Sequence, residues 1–158
     1  PERLSSRLFQ ELREERALCY EVQSDLVSFD DAGLVQIFLA LSPGNLEEAL
    51  SSISRIAGEL VKDGVSINEL EEAKSFIVGQ SRISLENTAA QMMWAGESLL
   101  FFDEVKDPDE AHQRILNTTL DEVNEAAQRL FDPMAFSSAL VGPGQSDALL
   151  REWRKTCA

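Results

Sequence analysis

One histidine occurs in 158 residues, and that scarcity excludes a whole class of chemistry. Catalytic zinc takes three protein ligands in most sites, commonly with two histidines on one helix face. Neither His-Glu-x-x-His nor His-x-x-Glu-His is present. The lone His112 falls in a helix that opens with Asp107-Pro108 and reads as an ordinary surface side chain. No zinc site of known type can be assembled from this chain alone, so no metal ligand and no cofactor is expected within it.

Other shortages act the same way. A Gly-x-Ser-x-Gly elbow is missing, and one histidine would have to serve any nucleophile as base. Only Cys19 and Cys157 carry thiols. Two distant cysteines make no disulfide framework, and Cys19, inside an apparent strand, reads as a buried inert thiol. Gly142-Pro143-Gly144 is too short to cradle phosphates, and no P-loop exists. Lysine and arginine total 14 against 28 acidic residues, a net charge of -14. That balance argues against nucleic acid and anionic membrane as partners, since both reward basic surfaces. No apolar run approaches the roughly 20 residues that span a bilayer. Pro1-Glu2-Arg3 leads into a polar amphipathic stretch without a visible signal peptide; a bacterial cytoplasm is the expected compartment, with periplasm and mitochondrion left open.

What is present is patterned. Leu4 to Arg13 reads as a short helix with an apolar stripe of Leu4, Leu8, Phe9 and Leu12. Ala17 to Ser28 and Leu34 to Leu41 alternate as strands around an Asp30-Asp31-Ala32-Gly33 turn, which predicts an antiparallel hairpin. In the first strand Leu18, Tyr20 and Val22 share a face. Asn45 caps a helix running to about Lys62, and Ser66 with Glu69 forms a capping box for the next. Ser84 opens a helix through Met92, Met93 and Leu99 toward Phe102, whose apolar residues read as core. Asp107-Pro108 and Thr119/Glu122 start two more helices, the second ending before Asp132-Pro133. Ser137 to Val141 reads as a short strand, with a helical tail over 145–158. Clustered helices predict an α+β fold, an antiparallel sheet with helices packed on one face.

The segment from Ser5 to Val22, Ser-Ser-Arg-Leu-Phe-Gln-Glu-Leu-Arg-Glu-Glu-Arg-Ala-Leu-Cys-Tyr-Glu-Val, is the most specific in the chain. It closely resembles the signature of the second, zinc-free domain of insulinase/pitrilysin-type zinc peptidases, which include the mitochondrial processing peptidase. The resemblance continues through Ser42-Pro43-Gly44-Asn45-Leu46-Glu47-Glu48, Leu70-Glu71-Glu72-Ala73-Lys74, Ser84-Leu85-Glu86-Asn87-Thr88 and Leu130-Phe131-Asp132-Pro133. It covers most of Arg3 to Gly144.

The resemblance implies a metallohydrolase-like processing-peptidase domain over 1–144, lacking its first strand and helix. It also implies a partner, either a zinc-bearing homologous domain or a subunit in a homo- or heterodimer, and a peptide substrate. Arg13 and Tyr20 match the spacing of the arginine and tyrosine that such domains contribute to binding substrate and intermediate. The residues themselves leave other readings open. Tyr20 can be a core tyrosine, and Arg13 an ordinary cation at a helix end. Ala17 stands where the family has glycine, so a positive φ there would strain the turn. Two functions of other classes also fit: a structural assembly subunit, as in the core proteins of the bc1 complex, and a peptide-binding module using a free sheet edge.

Overall fold

The computed structural model describes residues 6–29, 31–131, 136–142, 151 and 153. They pack as two units, Pro1–Gly64 with Ala126–Ala158, and Val65–Glu125.

In the first unit, Ser6 caps helix α1 (Arg7–Phe9) by accepting from the Phe9 amide. The chain continues as a π-helical segment, Gln10–Glu15. Strands β1 (Cys19–Ser28) and β2 (Gly33–Leu41) then form the expected antiparallel hairpin, the sheet of the described residues. Its register sets Val22 opposite Leu39 and Ser24 opposite Ile37. The Phe29 amide donates to the Ala32 carbonyl at the hairpin end.

A short 3-10 turn over Pro43–Asn45 leads into α2 (Leu46–Asp63). Leu46, Ala49, Leu50, Ile53, Ile56 and Ala57 recur at helical spacing and form its buried face. Ala49 and Ile53 join Phe9, Leu12, Leu18, Cys19 and Val22 in one core, onto which Ile37, Leu39 and Leu41 pack. Helices thus cover one face of the hairpin, as an α+β reading requires. Each buried aliphatic or aromatic side chain contributes about 1.5–3 kcal/mol. The helix ends at Gly64, whose carbonyl accepts from an Arg7 guanidinium nitrogen at 3.1 Å. Trp153 donates its indole N–H to the Ser54 hydroxyl and lies 6.1 Å from the Phe136 ring.

The second unit holds α3 (Ile67–Leu85), α4 (Thr88–Phe102), α5 (Pro108–Asn117) and the start of α6 (Leu120–Leu130). Its starts follow the sequence signals closely. Both arms of the Ser66/Glu69 box are made. Asp107 accepts from the Asp109 amide ahead of Pro108. Thr119 and Glu122 bond each other reciprocally.

Five expectations need correction. Ser84 does not open a helix: α3 runs on to Leu85, and Asn87 caps α4 by accepting from the Ala89 amide. The apolar side chains of α4 are not core, because Met92, Met93, Leu99, Phe101 and Phe102 are all exposed. Helical periodicity marks an apolar surface without saying what covers it. His112 is not at the surface. It is buried at 3%, with its Nε2 2.9 Å from the Ser81 hydroxyl and Nδ1 3.4 Å from Asp109. A hydrogen-bonded histidine joining α3 to α5 is a structural part. Ser137 to Val141 enters no ladder with β1 or β2, and a strand needs a paired neighbour. Asn45 stands at the cap position of α2, yet its side chain makes no cap bond. Residues 1–5, Asp132-Pro133 and most of the 145–158 tail lie outside the described residues. Of that tail, Arg151 and Trp153 are described, and both are helical.

Candidate functional site

Arg13 and Tyr20 lie in a stretch, Gln10 to Tyr20, that departs from regular geometry three times in eleven residues. The first departure is the π-helical segment, where the Arg16 amide donates five residues back to the Glu11 carbonyl at 3.1 Å. Such wide turns are rare and frequently mark functional sites. Arg13 lies in its last turn, half-buried, with its guanidinium carbon 5.1 Å from the centre of the Phe9 ring. A cation over an aromatic face is held by about 0.5–1 kcal/mol at a partly exposed site.

The second departure is Ala17, with φ at 49°. The left-handed conformation turns the chain from helix to strand, and the Leu18 amide closes the turn on the Leu12 carbonyl at 2.7 Å. An alanine there costs about 1 kcal/mol against glycine. The strain expected at this position from the sequence is present.

The third departure is a β-bulge. Cys19 pairs with Leu41 and Glu21 with Ala40, so Tyr20 is the extra residue. Bulges re-aim side chains, and this one breaks the alternation read from the sequence. Leu18, Cys19 and Val22 go to the core while Tyr20 is 71% exposed. The shared face of Leu18, Tyr20 and Val22 is therefore corrected, and a core tyrosine is excluded. The Tyr20 hydroxyl rests 2.8 Å from the Ser42 hydroxyl.

The far side of this segment is gripped from the start of α2. The Asn45 side-chain Nδ2 donates to the Leu18 carbonyl at 2.9 Å. Arg16 donates to the Ser52 hydroxyl at 2.5 Å and pairs with Glu48. Glu11 pairs with Arg55 and lies 3.7 Å from an Arg16 guanidinium nitrogen. Burial works to raise the Glu11 pKa. Hydrogen bonds from Arg55 and Ser52, with the charges of Arg55 and Arg16, outweigh it and hold the carboxyl below the usual range. Cys19 shows the opposite balance: burial pushes its thiol up, and the nearby Arg13 charge only partly opposes this. That is an inert thiol by environment.

Sequence reasoning singled out Arg13 and Tyr20 but missed Arg16, Ser42 and Asn45. The available signal was two cap-type residues, Ser42 and Asn45, in one short turn, more than a single helix start requires. Among the described residues no group of three His, Cys, Asp or Glu side chains is placed to hold a metal ion. No helix among the described residues is long and apolar enough to cross a membrane.

Comparison with known proteins points in one direction. Residues 2–77 match the family described as Peptidase M16 inactive domain. Over 147 residues the chain is 33% identical to a protein of Mycobacterium leprae named an uncharacterized zinc protease, covering 93% of this chain and 33% of that protein. It is 32% identical over 140 residues to the Bacillus subtilis protein YmxG, of the same description, covering 89% and 34%. The chain thus spans about a third of the length of these curated relatives. A conserved protein from Enterococcus faecalis superposes with TM-score 0.66 at 23% identity, over 80% of this chain and 29% of that one. The periplasmic protease PqqL from Escherichia coli gives 0.59 at 22%, over 77% and 14%. At that identity the two structures show the fold.

Proposed function

The chain belongs to the M16 peptidase family as a domain of its inactive, C-terminal type, and from this premise we propose that it is the zinc-free, substrate-gripping part of a zinc metallopeptidase. The zinc chemistry belongs to a His-x-x-Glu-His-bearing domain or subunit, because one histidine cannot build such a site. In this reading the chain's own residues bind and orient. The Tyr20 hydroxyl donates a hydrogen bond to the oxyanion that forms when a peptide carbonyl is attacked. The Arg13 fork holds a substrate carbonyl or carboxylate through two parallel N–H donors.

The observation that carries the reading is the bulge that lifts Tyr20 out of the core. A purely structural strand gains nothing from exposing its aromatic residue, and regular alternation would have buried it. Strained and irregular backbone clustered within the eleven residues from Gln10 to Tyr20 is the pattern of a functional segment. The structural-subunit reading, by contrast, needs neither Arg13 nor an outward Tyr20. The test is peptide hydrolysis by the complete enzyme, zinc-bearing part included, with Arg13→Ala. Raised KM and lowered kcat/KM in a folded protein are expected. Unchanged kinetics would return the chain to a structural role.

A further inference from the structure

Two cap positions stand at the start of α2, and neither side chain caps. Ser42 has the extended φ/ψ of an N-cap, at -71° and 140°, but its hydroxyl makes no bond to the turn that follows. Asn45, three residues on, likewise leaves the α2 amides without a side-chain cap. A serine or asparagine cap stabilises a helix by about 1 kcal/mol. Both side chains instead cross to the β1 side, Asn45 to the Leu18 carbonyl just before the bulge and Ser42 to the hydroxyl of the bulge residue, Tyr20. Farther along the same helix, Glu48 and Ser52 hold Arg16. Residues 16, 18 and 20 are thus each held from 42–52, and Ser42 is the first residue of this clasp.

We propose that Ser42 is a positioning residue for Tyr20: its hydroxyl donates to the phenol oxygen, leaving the phenol proton for the oxyanion. This rests on the oxyanion-binding reading of Tyr20. The order of donation follows from the chemistry. As the phenol shares its proton with a developing oxyanion, its own oxygen gains negative charge. A donor 2.8 Å away becomes a stronger partner as that happens, so the bond tightens in the transition state more than in the ground state. The 71% exposure of Tyr20 makes the contact more telling, because a free phenol would sweep several rotamers. Holding it in one lowers the ordering cost of the reaction.

The experiment measures kcat and KM for peptide hydrolysis by the complete enzyme, zinc-bearing part included. It compares Ser42→Ala, Ser42→Thr, Tyr20→Phe and the Ser42→Ala/Tyr20→Phe double variant. Ser42→Ala is expected to lower kcat about tenfold with little change in KM, a loss of one charge-assisted bond. Ser42→Thr keeps the hydroxyl and is expected to restore most of kcat. With Tyr20 already phenylalanine, Ser42→Ala should cost nothing more. The proposal is overturned if Tyr20→Phe impairs kcat while Ser42→Ala does not, or if the two losses multiply in the double variant. It is also overturned if Ser42→Thr behaves as Ser42→Ala, which would mean the side chain acts through shape. If Tyr20→Phe itself leaves kcat unchanged, the reading of Tyr20 fails first and Ser42 loses its role with it.

Discussion

The side-chain amide of Asn45 donates to the Leu18 carbonyl across 2.9 Å, tying the residue just ahead of α2 to the residue just before β1. This sets an unusual substitution pattern. Aspartate is as good a helix cap as asparagine, so Asn45→Asp would be neutral or stabilising if Asn45 were a cap. Because it is a donor to a carbonyl, Asn45→Asp loses the bond and sets an acceptor against an acceptor. Both Asn45→Asp and Asn45→Ala are expected to lower stability by about 1 kcal/mol or more. Urea midpoints at constant slope measure this, and a stabilised Asn45→Asp would refute the assignment.

Ala17 and Gly64 make a matched pair. Ala17 holds φ 49° with a side chain that disfavours it, and Gly64 holds φ 71° with ψ -161°, a region open to glycine almost alone. Ala17→Gly is expected to stabilise the chain by about 1 kcal/mol, and Gly64→Ala to destabilise it by at least as much. Thermal unfolding of the two variants should shift in opposite directions.

What the sequence disclosed was local. Ser66/Glu69, Asp107-Pro108 and Thr119/Glu122 act within one helical turn, so their residues suffice to read them. The hairpin was legible because strand alternation and its turn lie together in the chain. Tyr20 was read on the wrong face because a one-residue bulge reverses alternation, and the bulge is fixed by the partner strand and by contacts from 42–52. Asn45 was read as a cap because its competing acceptor, the Leu18 carbonyl, is 27 residues away. His112 was misjudged for the same reason, its Ser81 partner being 31 residues distant. The candidate pair was legible only through a resemblance.

Burial separates two groups of apolar residues that look alike in sequence. Leu12 is 0% exposed in the first unit's core, whereas Leu100 on α4 is 76% exposed. Leu12→Ala is expected to cost about 2–5 kcal/mol. Leu100→Ala should stay within about 0.5 kcal/mol of the parent chain. Chemical denaturation of the isolated chain checks both.

Glu11 gives the fold an acid limit. Its carboxyl is held below the usual range in the folded chain, so the stabilisation it supplies is fully present above the unfolded value of about 4.3. That stabilisation is lost as pH falls from there through the lower folded value. Glu11→Gln is expected to lower stability at neutral pH and to flatten its fall on the acid side. A pH series of urea midpoints reads both effects, and an unchanged acid slope would contradict the account.

The central claim is that the bulge presents Tyr20 to a reaction intermediate. It is tested most directly by kcat of the complete enzyme, zinc-bearing part included, with Tyr20→Phe. Loss of one oxyanion donor predicts a fall of about 10²–10³ in kcat with KM little changed. A folded Tyr20→Phe enzyme with the kcat of the parent would contradict it.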